Sequence, residues 1–365
     1  MEFALVQQSK AIGSFRKSLS IGQPQVRLAL TASLLFGCFE SFHGNWETAW
    51  QQMHGGLNML GQCRRNKREG QFRSIAEIDS ELGEALIRLK LQLETYLAMN
   101  PMVDSPLMEL EKLRVEEYPP LRFSNLAEAF PFALTVALSS TSYSRRASRA
   151  LNFGTNEQSL EAERDTLCDF VFRWKRAFRP ILLEVETGQL FGQQNYLGTL
   201  LLQTCVQGFE IILATSLSRK ESIFDHYTED FRRIVFQCRR IFQLDAERRE
   251  VEDLKAQFGL GSVMVLYYTA TRCRERSIRR EAISILREWP RKNGIWDSLQ
   301  AAQVAEWIVG IEEEAACGME NIPEEARIRT HSLKVTREKG KLQIECLQGN
   351  LEGTWRPQKA TLECP

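Results

Sequence analysis

The sequence predicts an all-α protein built of packed antiparallel helix pairs and ending in a small β-hairpin. Three observations carry that prediction. Apolar residues recur at helical spacing through most of residues 1–320. Short Gly, Asn and Pro signals separate the stripes, which makes successive helices neighbours. After Pro323 the apolar period changes to two.

In the first predicted helix Ala4, Leu5, Ile12, Phe15 and Leu19 share a stripe, and Gly22 and Pro24 mark a stop and a restart. Residues 24–42 are apolar nearly all round (Val26, Leu28, Leu30, Leu34, Leu35, Phe39, Phe42), which predicts a central helix covered on several sides. Gly44-Asn45 breaks it, and Asn45 is placed to N-cap a helix whose stripe is Trp46, Ala49, Met53, Leu57 and Leu60. A basic patch, Arg64, Arg65, Lys67 and Arg68, leads into a loop, and another helix is expected over 80–99. Asn100-Pro101, Pro106 and Pro119-Pro120 punctuate an irregular segment, and a short apolar helix is expected near 132–139. Residues 139–156 are polar with few large apolar side chains, so they read as an exposed loop or interdomain linker.

The second half is strongly helical. Leu160, Leu167, Val171, Trp174, Phe178 and Ile181 form one stripe, with Pro180 as a kink. Helices are expected near 189–218 and 225–258, the latter burying Phe231, Ile234, Cys238, Ile241 and Phe242. A Gly-started helix follows near 262–273, then a stripe of Ala282, Ile285, Leu286 and Trp289 that Pro290 ends. Asp297, with Gln300 at the capping-box position, starts a last long helix with Val304, Trp307, Ile308 and Ile311 inward. Leu333 and Val335, then Leu342, Ile344 and Cys346, alternate with polar residues around Lys339-Gly340, the hairpin signal. The expected division is a helical domain over 1–320 and the hairpin and tail over 321–365.

Composition narrows the class without naming a function. The chain has 365 residues, 43% hydrophobic and 26% charged, which excludes a disordered chain or a disulfide scaffold. Lys+Arg and Asp+Glu are 47 each, so no whole-molecule field draws in nucleic acid or an anionic membrane. Nine scattered cysteines, odd in number, read as reduced thiols of a cytosolic or nuclear protein. The most apolar stretch, 196–218, carries Gln203, Gln207 and Glu210 and fits a buried helix better than a membrane span.

Motifs for chemistry are sparse. There is no phosphate loop, dinucleotide fingerprint, nucleophile elbow or His-Glu-x-x-His, and only four histidines, His43, His54, His226 and His331, offer a base near neutral pH. Gly259, Gly261 and Ser262 read as a helix separator. Cys38, His43, His54 and Cys63 are spaced 5, 11 and 9 apart, unlike the close pairs of structural zinc sites, and read as packing and turn residues. Basic clusters at Arg64–Arg68, Arg145-Arg146 with Arg149, Arg232-Arg233 with Arg239-Arg240, and Arg272–Arg280 read mainly as solvated faces, as do Glu312, Glu313 and Glu314. Arg145-Arg146-Ala147-Ser148 resembles a basophilic kinase site in an exposed loop. No catalytic, cofactor-binding or metal-ligating residue is assigned, and the expectation is that the chain is not an enzyme.

Three blocks carry a resemblance. FGCFESFHGNWETAWQQMHGGLNML, 36–60, has an aromatic-Glu pair (Phe39-Glu40), Gly44-Asn45, Ala49, His54 one step late, and Gly56-Leu57. TRCRERSIRREAISILREWPRKNGIWDS, 271–298, continues in AAQVAEWIVGIEEE, 301–314, and the third block is IPEEARIRTHSLKV, 322–335. In this order they resemble the fungal-specific transcription factor domain, in the secondary-metabolism regulator-like branch of the zinc binuclear cluster transcription factor family. The resemblance implies an all-helical regulatory domain in the nucleus, working through protein partners (transcription machinery or paralogous regulators) and a small-molecule effector. It implies zinc only in an N-terminal six-cysteine cluster, which also binds the DNA; no Cys-x-x-Cys occurs here, so neither zinc ligands nor DNA-reading residues carry over. The expectation is thus a fragment, or a paralogue lacking its DNA-binding half, with no DNA contact of its own and no membrane role. Phe39, Trp46 and Leu57 are read as core, Arg279, Arg280 and Glu281 as a polar helix start, and Trp289-Pro290 with Trp296-Asp297 as brackets of a turn. The alternative is a non-catalytic helical scaffold or adaptor.

Overall fold

The structure is a computed structural model that describes residues 10, 13–14, 26–43, 45–68, 79–101, 118–153, 157–186, 193–247, 261–293, 295–338, 340–349 and 354–363. It is mostly helical with a C-terminal three-stranded antiparallel sheet, as the periodicity predicts. The stripe of Ala4 to Leu19, the Gly22-Pro24 break, Gly44, Pro106, Gly259, Lys339 and Cys364 lie outside the described residues. The chain forms two compact units, Met1–Lys90 and Leu91–Pro365.

In the first unit α1 (Val26–His43) and α2 (Trp46–Arg68) form the predicted helix pair, joined by the early part of α3 (Asp79–Met99). Ala49, Met53 and Leu60 are buried as the stripe requires. Gly56 sits where a Cβ would lie 3.1 Å from Ser33 Cβ and 3.2 Å from Leu86, so glycine there lets the three helices close up. At Asn45 the carbonyl accepts from Ala49 N–H at 2.9 Å, and the side-chain amide donates to Glu40 Oε2 at 2.7 Å. Helix α1 is also less enclosed than its composition predicts: Leu28 and Leu35 are 42% and 61% exposed. Its buried side meets α2 and the Leu86–Leu89 part of α3, and within the described residues its other side is left uncovered.

The second unit contains α4 (Leu126–Phe153), α5 (Glu157–Glu186), α6 (Gln193–Thr215), a 3-10 helix (Glu221–Tyr227), α7 (Thr228–Glu247), α8 (Ser262–Arg272), α9 (Arg276–Glu288) and α10 (Ser298–Ala315). Successive helices pack on one another, α4 on α5 and α6, α6 on α7, and α8 on α9. The predicted stripe of α5 is buried throughout, and Trp174 stacks on Phe178 at 4.4 Å while its Nε1 donates to Ala129 O at 3.1 Å. Burying each such side chain contributes roughly 1.5–3 kcal/mol. Among the described residues α6 alone is long and apolar enough to cross a membrane. Its polar groups are satisfied by neighbouring helices: Gln203 and Thr204 by Gln237, Gln207 by Asp230, each at 2.9 Å, and Glu210 by Lys175 at 2.7 Å. That is how a core helix carries polar residues.

Over 139–153 the expected loop is instead the C-terminal half of α4, and 154–156 lie outside the described residues. Asn125 Oδ1 caps its start by accepting from Glu128 N–H at 2.9 Å, and the helix runs through to Phe153. Ser139, Ser140, Thr141, Ser142, Tyr143, Arg145, Ala147 and Ser148 are all buried. The physical reason is size: Ser, Thr and Ala let α4 approach α5 and α6 closely. The hydroxyls meanwhile bond back to the helix, as Thr141 does to Ala137 O at 2.8 Å. The kinase-like Ser148 is therefore a buried helical residue, not a loop serine.

A two-residue ladder, β1 (Lys292–Asn293) with β2 (Trp296–Asp297), forms the turn that the two Trp-containing pairs bracket. Asp297 caps α10 as expected, accepting from Leu299 and Gln300 N–H at 3.0 and 3.2 Å. The predicted hairpin is β3 (Ile328–Glu338) with β4 (Lys341–Gly349), and Gly340 takes φ +79° in its turn. Leu333, Val335, Leu342, Ile344 and Cys346 are all buried. A third strand, β5 (Trp355–Glu363), extends the hairpin. It was illegible because as an edge strand it is largely exposed and lacks an apolar alternation. The sheet belongs to the larger unit: Tyr96 Oη donates to Val335 O at 3.2 Å and Gln348 Nε2 to Ile311 O at 2.8 Å.

Candidate functional site

Polar groups converge where α8, α9 and α10 meet the 3-10 helix and β3. Helix α8 ends at Arg272, and Glu275 caps α9 by accepting from Ile278 N–H at 2.8 Å. This tight corner turns Arg272, Arg274 and Arg279 inward. Glu312, with no exposure, accepts from Arg274 Nη2 and Arg279 Nη2, each at 2.8 Å, and from Ile328 N–H at 2.9 Å. Arg274 also faces Glu221 at 3.5 Å, and Glu221 Oε1 accepts from Thr330 N–H at 2.7 Å and its hydroxyl at 2.9 Å. Arg327 grips Asp225 through two bonds of 2.9 and 2.7 Å. Glu324 accepts from Glu221 and Ser222 N–H at 2.8 and 2.6 Å, seating the 3-10 helix start.

Two expectations are overturned here. Glu312 is not part of a solvated helix end, and Arg272, Arg274 and Arg279 of the Arg272–Arg280 cluster are not on a solvated face; Arg279 and Glu312 are fully buried and paired. The reason is mutual: each supplies the countercharge that makes the other's burial tolerable. Burial pushes the Glu312 carboxyl up, but Arg274, Arg279 and the Ile328 N–H outweigh it and hold the group below the usual range. For Glu221 burial wins over Arg274, Arg272 and the Thr330 donors, and its carboxyl is raised. By contrast Arg232 and Arg239 hold partly exposed ion pairs, as their cluster predicts. The side chains of Arg64, Arg65, Lys67 and Arg68 lie outside the described residues.

Beside this network lies a cleft with about 480 Å³ of empty space including its mouth. Its apolar wall includes Ile212, Ile223 and Phe224; its polar wall includes Ser148, Arg272 and His331. β3 loses regular register between Arg329 and Lys334, and His331 falls in that irregular stretch. Arg272 is 4% exposed and His331 6%. Arg272 Nη1 and His331 Nε2 are buried with no hydrogen-bond partner, while the guanidinium lies over the Tyr268 ring at 5.5 Å. Burial, then the cations Arg329, Arg272 and Arg219, push His331 down to about 4. A second cleft of about 320 Å³, near Tyr96, Tyr267 and Trp296, is mainly apolar.

A pH dependence follows from His331. Unfolded, the imidazole takes a proton near 6.5; folded, only near 4, so the unfolded chain binds more protons as pH falls between them. Stability is full above about pH 6.5 and declines on acidification, by about 2 kcal/mol between pH 7 and 5. His331→Gln should lose that much less over the same interval in urea titrations; equal losses in both proteins would refute the assignment.

Sequence reasoning assigned no site residue and did not single out Arg272 or His331 as partners. Of the four weighed as zinc ligands, Cys38 and His54 are half-buried, and His54 stacks on Trp50 at 6.0 Å between centroids. The side chains of His43 and Cys63 lie outside the described residues. Among the described residues no group of three or more His, Cys, Asp or Glu could hold a metal ion. Comparison with protein-family models, with curated proteins and with solved structures finds no match to this chain.

Proposed function

We propose that the chain is the regulatory domain of a fungal-type transcription regulator, acting in the nucleus through protein partners and governed by a small-molecule effector in the Arg272–His331 cleft. One observation carries this reading: the second and third blocks of the family resemblance supply the cleft's polar wall and the ionic network behind it. Arg272, Arg274 and Arg279 come from 271–298, Glu312 from 301–314, and Arg327, Thr330 and His331 from 322–335. A ligand in such a cleft touches α8, the 3-10 helix and β3 together, so it can favour one arrangement of them over another. Zinc and DNA contact belong to the family's separate cysteine cluster, and no residue of this chain is assigned to either.

The test is to tether the whole chain to a heterologous DNA-binding domain upstream of a reporter. The expected result is nuclear accumulation and a several-fold change in reporter output relative to the binding domain alone. Unchanged output would overturn the regulatory reading in favour of a scaffold.

A further inference from the structure

We propose that the cleft takes a small organic carboxylate, its oxyanion seated against the Arg272 guanidinium and His331 Nε2 and its apolar body against Ile212, Ile223 and Phe224. Charge accounting supports the head group. Glu312 is shared by Arg274 and Arg279, Asp225 holds Arg327, and Glu221 on the cleft wall faces Arg274 at 3.5 Å and also acts on Arg272, so four arginines meet three carboxylates. Arg272 is the fourth arginine of the cluster, and no carboxylate hydrogen-bonds to it among the described residues. Glu324 does not serve, being held by the backbone N–H groups of Glu221 and Ser222.

Hydrogen-bonding capacity supports it further. A buried guanidinium is normally paired, because it is a donor that cannot neutralise itself by losing a proton. Arg272 offers a planar fork, already oriented over Tyr268, which a carboxylate satisfies with two parallel bonds. His331 Nε2, also buried and unpartnered, lines the same cleft. The wall opposite Arg272 is aliphatic and aromatic, unsuited to a bare inorganic ion. The ligand's role as effector rests on the regulatory reading above, but its binding does not.

The experiment follows thermal unfolding and titration of the whole chain with benzoate, its neutral isostere benzamide, and inorganic phosphate, at matched ionic strength. Benzoate at about 10 mM is expected to raise the midpoint by a few degrees, more than benzamide or phosphate does. Arg272→Gln should abolish the shift. Arg272→Lys, which keeps the charge and guards against a misfolded Gln variant, should weaken benzoate about tenfold by losing the fork. Benzoate acting no better than benzamide, phosphate matching benzoate, or Arg272→Lys binding like the parent would each overturn the proposal. Benzoate protection with flat reporter output would remove the regulatory reading and leave the site standing.

Discussion

Glu312→Gln is expected to lower stability by about 3–5 kcal/mol, the range for leaving a buried ion without its partner. The substitution preserves volume, so no cavity contributes. What it removes is one negative charge facing two guanidiniums, Arg274 and Arg279, that are 3% and 0% exposed at their side chains. Gln offers one acceptor and two donors where three donors converge, so the amide also turns hydrogens toward groups that have none to accept them. In a unit of this size the midpoint should fall by about 5–10 °C, read by calorimetry at neutral pH. A companion variant separates charge from packing. Glu312→Leu with Arg279→Leu replaces the fully buried pair and leaves Arg274 facing Glu221, and apolar replacement of a buried ion pair is often neutral. It should therefore recover most of the loss. If Glu312→Gln unfolds with the parent, the cluster is not the weld between α9, α10 and β3 described above. The acid limb has a definite sign: the depressed Glu312 contributes stability present above its unfolded value and lost as pH falls through the folded one.

Arg145→Ala should cost a similar amount, about 3–5 kcal/mol, because it strands Glu94. Arg145 Nη1 lies 2.8 Å from Glu94 Oε2, and the two side chains are 6% and 8% exposed. On an exposed linker the same change would fall within about 0.5 kcal/mol of the parent. One denaturant titration thus decides between a polar loop and the interior of α4. Glu94→Gln should show the converse loss, and Arg145→Ala with Glu94→Leu should cost less than the sum of the singles.

The long stripes were legible because a helix repeats its burial every three or four residues. Leu160 to Ile181 on α5 and Phe231 to Phe242 on α7 are buried as their spacing requires. The hairpin was legible for the same reason at period two, down to Gly340 in its turn. Two of the buried charges left a trace that residue type obscured. Arg279 lies three and seven residues before Ala282 and Leu286, on the inward face of α9, and Glu312 lies four residues after Ile308 on α10. Position marks both as interior and charge marks both as surface; pairing between the two helices lets position prevail.

From sequence alone came the fold class, the inward faces of most helices, the cap at Asp297 and the alternating core of the C-terminal hairpin. These follow from local rules: periodicity, turn chemistry and capping act within a few residues. Tertiary structure alone decided which charges are interior, that 139–153 is a core helix, and that Arg272 and His331 share one cleft. A charged side chain can be buried only when its countercharge is brought to it. Arg279 and Glu312 lie 33 residues apart in sequence, and Arg145 and Glu94 lie 51 apart. Small hydroxyl residues likewise become interior only where another helix comes close. Both conditions are pairings between distant segments, and no local pattern encodes them.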